Sequence, residues 1–472
     1  MTHSEFRAGE EVERPEDDVA PPHLRELRDL LEENDRAGIR ALAEEMHAAD
    51  LARIIDVLSA EQREELIGAL RPDFDPEILA YVAPELREEV IDLLEPKDAA
   101  AAVAELDTDD AVDVIQDLDE EAQREILENL PAEARALVQQ GLTFPESSAG
   151  RLMQRELVSA PQFWTVGRLI DFLRAAGEQA GAEQSGPELP EQFYDVFVVD
   201  PMHRVVGSIP LSRILRTKRT VKLASILDED IRTVPATMDQ EEVARLFRRY
   251  GLVSAPVIDT AGRLIGVITV DDVVDVIEEE ATEDLLRLAG VGEGGDLYRA
   301  ALDTAQSRFS WLAVNLLTAV VASLVIALFE GSIQKIVALA VLMPIVASMG
   351  GNAGTQTLTV VVRAIATREL TSANALRVVG KEFLVGLLNG LLFAVIVGSI
   401  AWGWFGDNRI GIVIALAMII NLVAAGLFGA LIPLGFRKLK IDPAIASVVF
   451  LTTVTDVVGF LAFLGLATFM LL

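Results

Sequence analysis

The sequence predicts a multidomain protein. It reads as an α-helical superhelix, then two α/β units in tandem, then an all-α polytopic membrane domain of five transmembrane helices. Three observations predict this order. Charge is split along the chain, apolar residues recur every twelve positions near the N-terminus, and five long apolar runs crowd the C-terminal part.

The mean hydropathy is +0.35, yet the formal charge is −33. Residues 301–472 contain only 7 acids and 10 bases, which leaves 66 acids and 30 bases to residues 1–300. A strongly acidic soluble half is thus joined to an apolar, slightly basic half. The acidic half repels nucleic acid and anionic lipid, and either attracts cations or serves as a solubilising surface. There is no cysteine, which excludes disulfides and thiolate metal sites. The N-terminus, "MTHSEFRAGEEVERPEDD", has no apolar signal-peptide core, so residues 1–22 are expected to be a disordered, acidic, cytosolic tail.

Over 23–142, Met46, Leu58, Leu70, Val82, Leu94, Leu106, Leu118, Leu130 and Leu142 recur every twelve residues. Twelve residues hold a helix of about two turns and a corner. Helices that short must stack to bury their apolar faces, giving a compact superhelix. Its acids either point from the corners toward a ligand or simply face solvent.

The next region repeats too. "FVVDPMHRVVGSIP" (197–210) aligns with "PVIDTAGRLIGVIT" (256–269), each reading as strand, turn, strand with flanking helices. The pair resembles tandem cystathionine-β-synthase-type (CBS) domains, over 143–222 and 223–282. The first carries a polar insertion at 177–192, expected to be a loop. In the second, Gly266, Thr269 and Asp272 match the family's Gly…Thr-x-x-Asp pattern, and the resemblance implies nucleotide binding, ATP included, through Thr269 and Asp272. The first copy has "GSIPLSR" instead, with no matching acid. A dense acidic run, Glu278–Glu280 with Glu283 and Asp284, and a glycine-rich break at 290–295 follow. The stretch 283–308 is expected to carry a linker helix into the membrane domain, 309–472.

The apolar runs lie near 310–329, 336–362, 383–405, 410–433 and 443–472, each long enough for the ~30 Å hydrocarbon core. Residues 363–382 carry Arg363, Arg368, Arg377 and Lys381, and 434–442 carry Arg437, Lys438 and Lys440. The alternate loops offer only Lys335 and Arg409. That asymmetry places the basic loops and the N-terminal half in the cytosol and the C-terminus outside a cell (inner or plasma) membrane. Trp402 and Trp404 suit an interfacial belt.

Two intramembrane features are not generic. "MPIVASMGGNAGTQT" (343–357) combines Pro344, three glycines and the neutral oxygens of Asn352, Gln356 and Thr357. It reads as broken, polar backbone lining a wet path, or else as a small-residue packing seam. The second feature is Asp456, ~20 Å from the cytosolic end of span five. No span offers an interior Lys or Arg to pair with it, so it must meet water, a proton or a cation, or donate a hydrogen bond when protonated. Thr452 and Thr455 flank it with hydroxyls, and such oxygen ligands suit a hard cation. Asn315, Asn389 and Asn421 are expected to hydrogen-bond between helices.

Taken together, the acidic superhelix, the CBS pair, the linker, five spans, "GGNAGTQ" and "TDVVGF" resemble the MgtE family of magnesium channels over nearly the whole chain. The resemblance implies a homodimer with one pore at the subunit interface. There two copies of Asp456 would face each other in a hydrated filter lined by Asn352, Gln356 and Thr452. It also implies closure by cytosolic Mg²⁺ bridging sensor acids. The matching positions are Glu77, Asp109 and Asp113 in the helical domain, Asp239, Glu241, Asp272 and Asp275 in the second CBS unit, and Glu280, Glu283 and Asp284 beyond it. Acids expected near 248–251 are replaced by "RRYG", which implies that one sensor site is missing or weakened. The alternatives are a transporter of Co²⁺ or another divalent cation, coupled to protons at Asp456, and a membrane-anchored nucleotide sensor. No nucleophile–base pair or clustered histidine site suggests an enzyme.

Overall fold

The computed structural model describes residues 21, 23–179, 189–190, 192–291, 301–371 and 373–472. The expected acidic tail lies outside the described residues apart from residue 21. So do most of the polar insertion and most of the glycine-rich break. The chain forms two compact units, Met1–Glu278 and Glu279–Leu472.

The first unit begins with ten short helices: α1 (Leu24–Glu32), α2 (Arg36–Glu44), α3 (Ala48–Val57), α4 (Ala60–Leu70), α5 (Glu77–Tyr81), α6 (Pro84–Asp92), α7 (Pro96–Glu105), α8 (Thr108–Gln116), α9 (Glu120–Asn129) and α10 (Ala132–Gly141). The twelve-residue repeat marks their ends. Leu58, Val82, Leu106 and Leu130 close α3, α5, α7 and α9 in extended conformation, with ψ of 154°, 141°, 155° and 145°. An extended residue after a helix turns the chain and drops its side chain inward. Leu58, Leu70, Val82, Leu94, Leu118 and Leu130 are buried in one continuous core, and Met46, Leu106 and Leu142 pack against it.

Alternate corners are pinned by arginines. Arg63, Arg87 and Arg135 each donate to a corner carbonyl five residues back: Leu58 O at 2.6 Å, Val82 O at 3.3 Å and Leu130 O at 2.8 Å. Arg63 and Arg87 also reach a carboxylate 26 residues ahead, Glu89 and Asp113, both at 2.7 Å. At the matching place after Leu106 the residue is Ala111, and the ladder is interrupted there. Arg87 is buried and holds Asp117 as well. The partners Asp113 and Asp117 stay partly in solvent, so removing Arg87 costs mainly the carbonyl bonds and the packing of its buried side chain. Arg87→Ala is therefore expected to lower stability by about 1–3 kcal/mol, read as an earlier thermal transition of the full chain in detergent.

Two three-stranded sheets follow. The first unites β1 (Ser159–Pro161), β2 (Asp195–Val199) and β3 (Val205–Pro210), with α11 (Val166–Gln179) and α12 (Leu211–Leu215). The second unites β4 (Val234–Pro235), β5 (Ser254–Ile258) and β6 (Leu264–Thr269), with α13 (Gln240–Tyr250) and α14 (Val270–Leu288). Each has one parallel and one antiparallel pairing and a bulge at the same place in its hairpin. The CBS-like α/β reading holds. The expected loop insertion begins as helix, since α11 runs to Gln179. The acidic run continues α14 rather than starting a separate element.

The second unit comprises the end of α14 from Glu279, α15 (Ala301–Ala327), a short α16 (Glu330–Lys335), α17 (Ala338–Ala366), α18 (Ala375–Phe405), α19 (Asn408–Lys438) and α20 (Pro443–Leu471). Five of these are long and apolar enough to cross a membrane. The central helix is α19, packed against α17, α18 and α20. One expectation is corrected here. The "MPIVASMGGNAGTQT" segment is not broken backbone, because α17 runs unbroken through Pro344 and the glycines. Pro344 removes only one donor, in the second helical turn and on the exposed face, so the flanking hydrogen bonds carry the helix across it.

Candidate functional site

Within the membrane domain, the α17 motif presents two different faces. Gly350, Gly354, Thr357 and Leu358 face inward and form a packing seam. Ser348, Asn352 and Gln356, four residues apart, make a polar stripe on the exposed face. Asn352 Nδ2 lies 3.5 Å from Ser348 Oγ. The Thr357 hydroxyl is withdrawn from any lining role, since it is buried and donates to Glu382 Oε2 at 3.1 Å.

Thr452 and Asp456 share a half-buried face of α20. The Thr452 hydroxyl donates to carbonyls of its own helix, Val448 O and Val449 O, both at 3.1 Å, and so turns lone pairs outward. Thr455 is fully buried and bonds back to Leu451 O and Thr452 O. Asp456 forms no hydrogen bond or ion pair with any described residue. Of Asn315, Asn389 and Asn421, it is Asn421 that makes an interhelical bond, to Val346 O at 2.8 Å. Glu382 is a carboxylate that sequence reasoning missed. It stands beside Lys381 at the start of a span, which disguises it as loop charge, yet it is only 7% exposed.

In the first unit, the interrupted arginine ladder opens onto an acidic field. Asp109, at the start of α8, is buried, and its Oδ1 has no partner among the described residues. Burial pushes its carboxyl well above the usual range, reinforced by the charges of Asp272, Asp110 and Asp107. Asp110 is raised to about 6 by burial and by Asp107 and Asp113, against the pull of Arg87. Asp272 is raised to about 7 by burial and by Asp271 and Asp110, while bonds from Thr269 pull it back. Asp275 is raised by burial, then by Glu278, Asp271 and Asp113. The Tyr81 phenol is raised by burial and then by the charges of Glu77, Asp110, Asp271 and Asp275. Asp107, Asp110 and Asp271 belong to this field and were not singled out in the sequence; adjacency to Asp109 and Asp272 was the available signal. A clasp borders it, in which the Thr108 hydroxyl donates to Glu156 Oε1 at 2.6 Å.

The other predicted acids have separate engagements. Asp113 accepts from Arg87 and from Gln116, both at 2.7 Å. Asp239 caps α13 through Glu241 N at 3.0 Å, and Glu241 pairs with Arg245 at 2.5 Å. Glu283 pairs with Arg287, which also meets Asp442 at 3.0 Å. Glu280 and Asp284 lie on the same helix. Leu288, in the last turn of α14, packs near Leu358 and Leu451. "RRYG" is a helix stop: Arg248 and Arg249 face the C-terminal dipole, and Gly251 takes φ +63°. Among the described residues no three acidic or imidazole groups converge closely enough to cage a metal. The acids form a field suited to a hydrated ion.

Thr269 lines a cleft with Glu156, Phe193, Tyr194, Asp195 and Ser254. The Ser254 hydroxyl donates to Asp195 at 2.8 Å. The cleft encloses about 20 Å³, room for one water. Asp272 takes the Thr269 hydroxyl at 2.8 Å and lies on the acidic field rather than in the cleft.

Five apolar spans, a carboxylate in the last of them with no partner among the described residues, and an acidic unit with two CBS-like sheets point to a membrane transport protein of the divalent cation class. Three family models match in that order: the MgtE intracellular N domain over 46–147, a CBS domain over 223–279, and the MgtE divalent cation transporter domain over 343–466. The chain is 36% identical to a magnesium transporter MgtE of Thermus thermophilus, over 71% of this chain and 73% of that one. It is 32% identical to the magnesium transporter MgtE of Bacillus subtilis, over 70% and 71%. A crystal structure of the cytosolic domain of the Mg²⁺ channel MgtE in complex with ATP aligns with 54% of this chain and 99% of its own, at 32% identity and a TM-score of 0.49. The chain belongs to the MgtE family.

Proposed function

We propose that this chain is a Mg²⁺-selective channel or transporter that mediates magnesium uptake and is closed by cytosolic Mg²⁺. The observation that carries the reading is Asp456, a carboxylate on a membrane helix with no partner among the described residues. Mg²⁺ sheds its waters reluctantly and takes few direct carboxylates. One aspartate per chain beside Thr452 and the neutral groups of Asn352 and Gln356 suits a hydrated ion.

The functional unit is a homodimer in the cell membrane, with the N-terminal domains cytosolic and the C-terminus outside. The exposed stripe of Ser348, Asn352 and Gln356 supports this, because polar groups on a membrane helix are costly against lipid and favourable along a shared wet path. Mg²⁺ closes the pore by bridging acids of the Asp109–Asp272 field, with Glu77, Asp113, Asp239, Glu241 and Asp275 as further contributors. Glu280, Glu283 and Asp284 carry the effect toward the membrane. ATP is assigned to the cleft beside Thr269, which at about 20 Å³ has to open before it holds a nucleotide.

Uptake of Mg²⁺ into dye-loaded vesicles holding the purified chain tests the function. A Mg²⁺ flux that Co²⁺ and Ca²⁺ do not match, and that ignores an imposed proton gradient at fixed voltage, is the expected result. A flux that needs the proton gradient, or that prefers Co²⁺, overturns it. The regulatory half has its own check. Millimolar Mg²⁺ is expected to slow protease digestion of residues 1–290 compared with chelator; identical digestion patterns would mean an inert acidic surface.

A further inference from the structure

Asn421 is fully buried at the centre of the membrane domain. Its Nδ2 donates to Val346 O of α17 at 2.8 Å, while its Oδ1 is buried with no partner among the described residues. The amide fills a slot between two helices. A Cβ at Gly350 of α17 would lie 2.2 Å from Nδ2, and a Cβ at Gly459 of α20 would lie 2.8 Å from it. Gly459 is one turn from Asp456, and Gly350 is two residues from Asn352. The wedge therefore stands where α17 and α20 carry the groups read above as the pore.

We propose that Asn421 is a positioning residue that sets the spacing and rotation of α17 against α20 at the depth of Asp456, and so tunes the fit of the hydrated ion. The inference rests on the pore reading of Asp456. Packing alone does not account for an amide here. A buried acceptor without a donor is unfavourable, whereas an apolar group of the same shape is nearly neutral or stabilising. What the amide adds is a directional bond to one carbonyl of α17, which an apolar filler lacks. Helix α19 is not itself on the polar stripe, so its effect on permeation has to pass through the two helices it separates.

This predicts a split between stability and transport. In vesicles holding the full chain, Asn421→Leu is expected to melt at or above the wild-type temperature. Its Mg²⁺ uptake should fall roughly tenfold or more, and its preference for Mg²⁺ over Ca²⁺ should narrow. Uptake and preference at wild-type levels would overturn the proposal. Should that variant fail to insert, the slot offers a second arm. Gly350→Ala pushes the amide out and is expected to cut uptake, and adding Asn421→Ser restores room without restoring the bond to Val346 O, so uptake should stay low. A double variant that regains wild-type uptake also overturns the proposal. Asp456→Asn in parallel separates the two readings: normal uptake there removes the pore assignment, while loss there with normal Asn421→Leu removes only the wedge.

Discussion

Asp456→Asn is expected to reduce Mg²⁺ uptake by several orders of magnitude while the protein inserts and folds normally. The substitution keeps shape and removes charge. A divalent ion about 5 Å from a carboxylate, with a water layer between, gains about 7 kcal/mol at an effective dielectric near 20. Dehydration and competing waters discount that figure, and each 1.36 kcal/mol that survives is still tenfold in rate. Asp456 has no described partner to be left unpaired, so structural damage is small. Vesicle uptake alongside size-exclusion profiles decides the matter. Wild-type flux in the asparagine variant would place the ion path elsewhere.

The second large effect concerns regulation. Asp109→Asn, Asp110→Asn and Asp272→Asn together are expected to flatten the response of the pore to cytosolic Mg²⁺. These carboxylates repel one another across the boundary between α8 and α14, and a bridging divalent cation relieves the repulsion. Neutral side chains remove the ion's differential affinity for the closed form, and without it the ion shifts no equilibrium. Coupling of this kind is worth about 5–150-fold in affinity. Patch recordings across a Mg²⁺ titration would read it, and an unchanged closing midpoint would sink the assignment.

Protons offer an independent check on the same field. An acid whose pKa rises on folding favours the assembled form while protonated. That contribution is full below the ordinary value of 3.8 and is lost as pH climbs through about 6 for Asp110 and about 7 for Asp272. In chelator, digestion of the soluble half should therefore be slower near pH 5.5 than near pH 8. Faster digestion at the lower pH would mean that the field does not hold these elements together.

The sequence by itself determined the classes of element and their order. Burial period, charge asymmetry and span length are one-dimensional properties, so the corner residues from Met46 to Leu142, the paired strands and the five spans were legible without coordinates. Asp456 was legible for the same reason, since a lone carboxylate in an apolar run stands out along the chain. Tertiary structure alone decided which residues meet. Asp109 and Asp272 are far apart in sequence, and only packing of α8 near α14 raises both. The local engagements of Asp239 and Glu283 were likewise invisible in the sequence: one caps a helix and the other pairs with Arg287. Pro344 and the glycines read as a break, yet the helix closes over them because its other hydrogen bonds outvote one lost donor. Asn421 gave no more signal than Asn315 or Asn389. Its place was set by the slot that Gly350 and Gly459 leave between α17 and α20, and such a slot exists only once three helices have packed.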